Sequence, residues 1–287
     1  MERGDPATMT PAALLSFPSP PSPVFHIGPL TLHYYGLFIA VGVAVATWLG
    51  GKELERRGYP RETALDALLY VIIPGLVGAR LYHVVTDYEL YRGHPFPGVF
   101  EIWDGGLGIY GAVAGGLVGL AFFCWRRKID LLRFMDAGAP GLAFAQSIGR
   151  WGNYFNQELF GHPSNLPWAI RIAPQYRPPQ YAHYTSFQPT FFYESVWDFF
   201  VGLTLLWIAR RSGWNLKKGD VFFLWVVLYS FGRFFTTMMR VDTEFPIVGG
   251  ISGNLLVSAA LVIGFSLVIF LRHTVGSGKG AGEKQGG

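Results

Sequence analysis

Runs of about twenty predominantly apolar residues recur along this chain of 287 residues, and that recurrence restricts the fold more than any motif does. About 20 such residues are what a helix needs to cross roughly 30 Å of hydrocarbon. The runs predict seven spans, at 34–51, 65–86, 105–125, 134–150, 190–209, 220–238 and 251–271. With 51% hydrophobic and only 15% charged residues, the composition also favours lipid over water as the solvent. The expected fold class is an all-α polytopic membrane protein of about seven transmembrane helices, with the polar, proline- and aromatic-rich stretch 151–189 as an external arm or cap. Trp168, Tyr176, Tyr181, Tyr184 and Phe187 of that stretch are expected at the membrane interface.

The net charge of +4 matters less than where the cations sit. Lys52, Arg56, Arg57 and Arg61 lie between spans one and two; Arg126, Arg127, Lys128 and Arg133 between three and four; Arg210, Arg211, Lys217 and Lys218 between five and six. Arg272, Lys279 and Lys284 follow span seven. An outside N-terminus and a cytoplasmic C-terminus put all four clusters on one side, as the positive-inside rule requires. Charge dispersed in this way argues against a nucleic-acid-binding face. The single cysteine, Cys124, excludes an internal disulfide framework and reads as a small packed apolar residue. Residues 1–32 are expected to be a flexible external tail without a signal-peptide core, 33–272 the membrane domain and 273–287 a flexible cytoplasmic tail.

Apart from Arg3, Arg92, Arg171 and Arg177, four arginines lie outside those clusters. Arg80, Arg150, Arg233 and Arg240 fall within spans or at their ends, and on the expected topology all belong to outer halves, where they would converge on one external-facing pocket. An arginine in a lipid-embedded helix costs at least about 2.5 kcal/mol near the centre, so it normally faces protein, water or an anion. The competing reading is that these side chains snorkel or pair with Glu158, Glu194 or Asp198. Arg233 and Arg240 are two helical turns apart and would share a face, gripping a phosphate, if the helix reaches that far. The glycines of 105–116 indicate close helix packing, and no Lys-Ser/Thr ending supports a nucleotide loop. The seven histidines show no ligand spacing, so neither a metal nor another cofactor is expected.

The most specific stretch runs from Gly149 to Gly161, Gly-Arg-Trp-Gly-Asn-Tyr-Phe-Asn-Gln-Glu-Leu-Phe-Gly. It resembles the signature of the prolipoprotein diacylglyceryl transferase family, Gly-Arg-x-Gly-Asn-x-x-Asn-x-Glu-x-x-Gly, at every fixed position. Further landmarks follow in the family's order: Tyr34-Tyr35-Gly36, Gly78-Ala79-Arg80, Trp103-Asp104-Gly105-Gly106-Leu107, Gln188-Pro189-Thr190 with Tyr193-Glu194, and Gly232-Arg233-Phe234 through Arg240 and Asp242. The resemblance covers about residues 30–271. Two positions depart from it: Tyr110 stands where the family often has His, and Thr237 where it often has Glu.

The resemblance implies a bacterial plasma (inner) membrane enzyme working towards the outer leaflet. It would move the diacylglyceryl group of phosphatidylglycerol onto the lipobox cysteine of a prolipoprotein signal peptide, releasing glycerol phosphate. Arg150 and Arg233 would stabilise the charge building on the departing oxygen, with Tyr110 as a third catalytic candidate. Tyr110 either takes the thiol proton or, as a phenol is a poor base at neutral pH, positions the lipid; His83 is the other candidate acceptor. Arg150, Asn153, Glu158, Tyr35, Arg80, Gly161 and Arg240 are the expected phosphatidylglycerol-binding residues. Asn153 can instead cap its helix, and Glu158 can orient Arg150 or accept from glycerol hydroxyls. A transporter of an anion or phospholipid would also place arginines inside a bundle, but it would normally carry internal repeats, and none is seen.

Overall fold

The structure, a computed structural model, describes residues 17–92, 105–211, 215–241, 247–248 and 251–275. A hairpin of β1 (Val24–Ile27) and β2 (Leu30–His33) leads into α1 (Tyr34–Glu55), α2 (Thr63–Thr86), the short α3 (Tyr88–Tyr91), α4 (Ile109–Arg127) and α5 (Leu131–Asn156). The strands β3 (Ile170–Arg171) and β4 (Ser186–Phe187) follow, with two 3-10 turns between them. Then come α6 (Thr190–Arg210), α7 (Asp220–Met239), the strands β5 (Ile247–Val248) and β6 (Ile251–Ser252), and α8 (Gly253–Val275). The three sheets are two-stranded and antiparallel.

Six described helices, α1, α2, α4, α6, α7 and α8, are long and apolar enough to cross a membrane. The fourth expected span, 134–150, forms a longer helix, α5, that falls short on apolarity because it carries Arg133, Asp136, Gln146, Arg150 and Asn153. Large apolar side chains point outward along the six, among them Leu69 and Ile263 at 64% and 68% exposed, a surface that suits lipid and not water.

The chain divides into two compact units, residues 47–138 and residues 1–46 with 139–287, so that α1 and α5 each contribute to both. In the unit 47–138, α2 packs on α4 through glycines. A methyl group on Gly111 or Gly119 would collide with the backbone carbonyl of Gly78 or Tyr70, so the two helices approach as closely as small residues permit. Ala67, Phe123 and Cys124 form a buried cluster there, with Cys124 a packed residue. In the other unit, Ala139 and Ala143 of α5 pack with Val201 and Leu205 of α6 and Val221 of α7.

Several boundaries differ from those expected. The third span starts at Ile109, not 105, because Gly105 and Gly106 take φ of 89° and 69°, which no right-handed helix accommodates. Part of the expected N-terminal tail is folded. Besides the hairpin, Phe17 exchanges backbone hydrogen bonds with Ala169 and Arg171, and Ser19 Oγ donates to the Arg171 carbonyl at 2.7 Å. Residues 273–275, expected in the C-terminal tail, continue α8. The expectations for residues 1–16 and 276–287, and the landmark residues Trp103, Asp104 and Asp242, lie outside the described residues. Within the arm, Phe187 is not interfacial: it is fully buried with Phe160, Ile170, Ile172 and Phe191, which makes the arm a small core of its own.

Candidate active site

The signature begins as helix and ends as a turn. α5 continues through Asn156 and closes with the Glu158 N–H on the Asn153 carbonyl (3.1 Å) and the Gln157 N–H on the Tyr154 carbonyl (3.1 Å), the paired bonds of a Schellman ending. Gln157 at φ 52° occupies the left-handed position that usually takes glycine. This turn folds Glu158 back over its own helix, where Oε1 accepts from Asn153 Nδ2 at 2.8 Å and from Asn156 Nδ2 at 3.2 Å. The two asparagines of the signature therefore serve to hold its glutamate. Asn153 uses its side chain on Glu158, not on the backbone as a cap would, and Glu158 is fixed by amides rather than by Arg150. Tyr35 of α1 lies against Gly152, where a Cβ would strike its ring, and its hydroxyl is beside the Asn153 side chain and within the field of Glu158 and Arg150.

One turn before Asn153 on α5, Arg150 meets α6. Its Nε lies 2.8 Å from Glu194 Oε2 and 3.9 Å from Asp198 Oδ2, and its Nη2 donates to Tyr229 of α7 at 3.4 Å. From α7, Arg233 Nη1 donates to Glu194 Oε1 at 2.6 Å and Thr236 Oγ1 to the same oxygen at 2.7 Å. A single carboxylate thus joins the two arginines expected to bind phosphate. Both guanidinium side chains keep some exposure, 14% and 20%, whereas Glu194 has 5%, so the cations are the part a ligand can reach. The pairing reading of these arginines is correct as to partner. It does not displace the binding reading, because the remaining guanidinium N–H groups can still face an anion.

Short polar links hold the three helices in register. Ser147 Oγ and Ser195 Oγ each donate to the other residue's carbonyl at 2.8 Å, joining α5 to α6. Trp197 Nε1 donates to the Leu228 carbonyl at 2.9 Å, and Trp225 Nε1 to Gln146 Oε1 at 3.1 Å, joining α7 to α6 and α5. Thr237, at the position where the family often has Glu, donates to the Arg233 carbonyl at 2.7 Å. Glu194 supplies the orienting carboxylate from the neighbouring helix.

The expected shared face of Arg233 and Arg240 is not formed. α7 ends at Met239, and Arg240 is extended (φ −80°, ψ 146°), pairing in an isolated bridge with Gly161. Gly161 is packed too closely for a side chain, with the Met239 carbonyl 2.8 Å from where a Cβ would sit, so it fastens the end of the signature to the end of α7. Arg80 and Tyr110 belong to the unit 47–138. Arg80 is buried and donates to the carbonyls of Gly105 (2.7 Å) and Gly106 (3.1 Å), which shapes the loop that opens α4. Tyr110 is partly exposed beside Tyr82, and His83 pairs with Asp87 at 2.9 Å. Glu194, Asp198, Tyr229 and Thr236 were not among the expected site residues. The available signal was Glu194 and Asp198 spaced four apart in an otherwise apolar helix. Among the described residues no group of three or more His, Cys, Asp or Glu side chains is placed to hold a metal ion.

Comparison with known proteins agrees with this architecture. The family profile of prolipoprotein diacylglyceryl transferase matches residues 22–271. Relatives named phosphatidylglycerol–prolipoprotein diacylglyceryl transferase include one from Cutibacterium acnes, 45% identical over 238 residues, covering 81% of this chain and 79% of the relative. Another, from Streptomyces avermitilis, is 46% identical over 240 residues (82% and 68%). A third, from Paenarthrobacter aurescens, is 43% identical over 277 residues (92% and 86%). A helical membrane protein with this signature, matched by the profile over most of its length, belongs to the prolipoprotein diacylglyceryl transferase family.

Proposed function

We propose that the protein catalyses the first step of bacterial lipoprotein maturation. The diacylglyceryl group of phosphatidylglycerol passes to the thiol of the lipobox cysteine in a prolipoprotein signal peptide. The substrate thiol loses its proton, its sulfur bonds to the glyceryl carbon, and the C–O bond to phosphate breaks. The electron pair leaves on the phosphate oxygen, giving a thioether and glycerol phosphate. The enzyme needs no nucleophile of its own, in keeping with the buried packing of Cys124.

The observation that carries this reading is the meeting of Arg150 and Arg233, from different helices, on one carboxylate. Guanidinium groups held in fixed directions suit a phosphodiester whose leaving oxygen gains charge, because preorganised donors lose nothing to reorganisation as the bond breaks. The Asn153, Glu158 and Tyr35 group beside them supplies donors and acceptors for the glycerol hydroxyls. Gly161 and Arg240 act on the lipid through the bridge that joins them, and Arg80 is a further lipid-binding residue of this proposal. Tyr110 positions the lipid and does not take the proton. The membrane is the bacterial plasma membrane, all seven long helices cross it with the N-terminus outside, and the arginines face the outer leaflet.

Purified protein in detergent, given phosphatidylglycerol and a lipobox peptide with one cysteine, is expected to add one diacylglyceryl mass to the peptide. Glycerol phosphate should be released in equal amount. A folded, lipid-binding protein that yields neither product would turn the reading to an anion or lipid transporter.

A further inference from the structure

Glu194 stands in the wrong place for a site whose only task is to attract an anion. It takes one unit of negative charge to the two cations expected to bind phosphate, and Asp198, one helical turn further along α6, brings a second carboxylate to 3.9 Å from Arg150. A net positive charge would be stronger without either. The geometry nevertheless gives Glu194 both of its oxygens for distinct tasks. Oε2 faces Arg150 of α5 at 2.8 Å, and Oε1 is shared by Arg233 of α7 at 2.6 Å and Thr236 at 2.7 Å. Buried as it is, with Thr236 fixing one oxygen, the carboxylate has little freedom to turn away.

From this arrangement, which rests on the proposed transfer reaction, we propose that Glu194 is a positioning residue. It clamps Arg150 and Arg233 into one rigid pair aimed at the phosphate oxygen that becomes charged as the C–O bond breaks. An arginine is long and has many rotamers, and two of them arriving from separate helices have no common direction unless something between them sets it. The carboxylate lowers the charge available to the ground-state lipid and in return fixes where the donors point. Those donors matter most when charge develops, which is how an interaction raises kcat without tightening substrate binding. Charge and geometry therefore predict opposite results for the same substitution.

Glu194→Gln keeps the shape and removes the charge. If charge alone mattered, the more positive site would bind phosphatidylglycerol more tightly and turn over at least as fast. Positioning predicts a lipid KM that is unchanged or lower together with a kcat reduced about tenfold or more, the effect expected when a charge-assisted contact to an oriented donor is lost. Glu194→Asp keeps the charge but is one methylene too short to span α5 and α7, and its kcat is expected to fall to a similar degree. Thr236→Val removes only the hydroxyl that fixes Oε1, and should lower kcat about three- to fivefold with the KM unmoved.

The measurement is a steady-state thioether assay against phosphatidylglycerol concentration, with thermal melting of each variant in the same detergent. Wild-type kcat in either Glu194→Gln or Glu194→Asp, or a rise in KM with kcat preserved, would overturn the proposal. Should both Glu194 variants fail to fold, Thr236→Val decides: a kcat equal to wild type counts against it and a selective kcat loss for it. The wild-type reaction separates this outcome from the other. A wild-type protein that forms no thioether removes the transfer reading and this one with it, whereas an active wild type with equally active variants removes only the role of Glu194.

Discussion

Replacing Arg150 by lysine and by methionine separates what its charge does from what its shape does. At 2.8 Å and an effective dielectric near 20, the gross attraction between Arg150 and Glu194 is about 6 kcal/mol. Much of that offsets the desolvation of both groups, and breaking such a buried pair by removing one partner costs about 3–5 kcal/mol. Arg150→Met should therefore lower thermal stability markedly, since Glu194 is left leaning on Arg233 alone. Arg150→Lys retains a cation that can reach Glu194, so its melting temperature should lie near that of wild type. What lysine lacks is the fork: it cannot contact Glu194, Tyr229 and a phosphate in fixed directions at once. Losing one charge-assisted hydrogen bond to the transition state costs about 1.5–3 kcal/mol, or about 10- to 150-fold in kcat/KM. The assay is single-turnover formation of thioether peptide from phosphatidylglycerol, with melting followed by intrinsic tryptophan fluorescence. An Arg150→Lys variant within threefold of wild-type kcat/KM, or an Arg150→Met variant that melts with wild type, would refute the reasoning.

Three further outcomes are expected. Tyr110→Phe should reduce kcat/KM by no more than about tenfold and leave the pH profile superimposable on wild type, since a phenol that only positions a ligand contributes about one hydrogen bond; a shifted profile would make it the proton acceptor. Gly111→Ala should destabilise by about 1–3 kcal/mol, read as an earlier thermal transition, because the added methyl collides with the Gly78 carbonyl across the α2–α4 contact. Phe187→Ala should cost about 3–5 kcal/mol by emptying the centre of the arm's own core, and limited proteolysis should then cut first within 157–189.

The helices and their approximate ends were legible in the sequence because length and apolarity are local properties that lipid enforces directly. Apolarity is weakest at 134–150, where Asp136, Gln146 and Arg150 dilute the run although it is helical throughout. The pairing of Glu158 with Asn153 was within reach of sequence reasoning, since five residues separate them, but it required the left-handed turn at Gln157, a residue that rarely adopts it. The condition on which Arg233 and Arg240 would share a face is not met, since α7 stops at Met239: periodicity says which residues share a face but not where a helix stops.

What the sequence by itself determined is the class of solvent, the number and order of the long helices, and the chemical types at the site: two arginines, a signature glutamate and its asparagines. Only the tertiary structure decided which groups touch. Glu194 lies 44 residues after Arg150 and 39 before Arg233, and nothing local to any of the three specifies their meeting. That meeting follows from the packing of α5, α6 and α7, fixed by the reciprocal serines and the tryptophan N–H bonds. The physical reason is one of range. Hydropathy and helix periodicity act over a turn or two of chain, whereas a carboxylate shared by two guanidinium groups depends on interhelical distances that many residues set together.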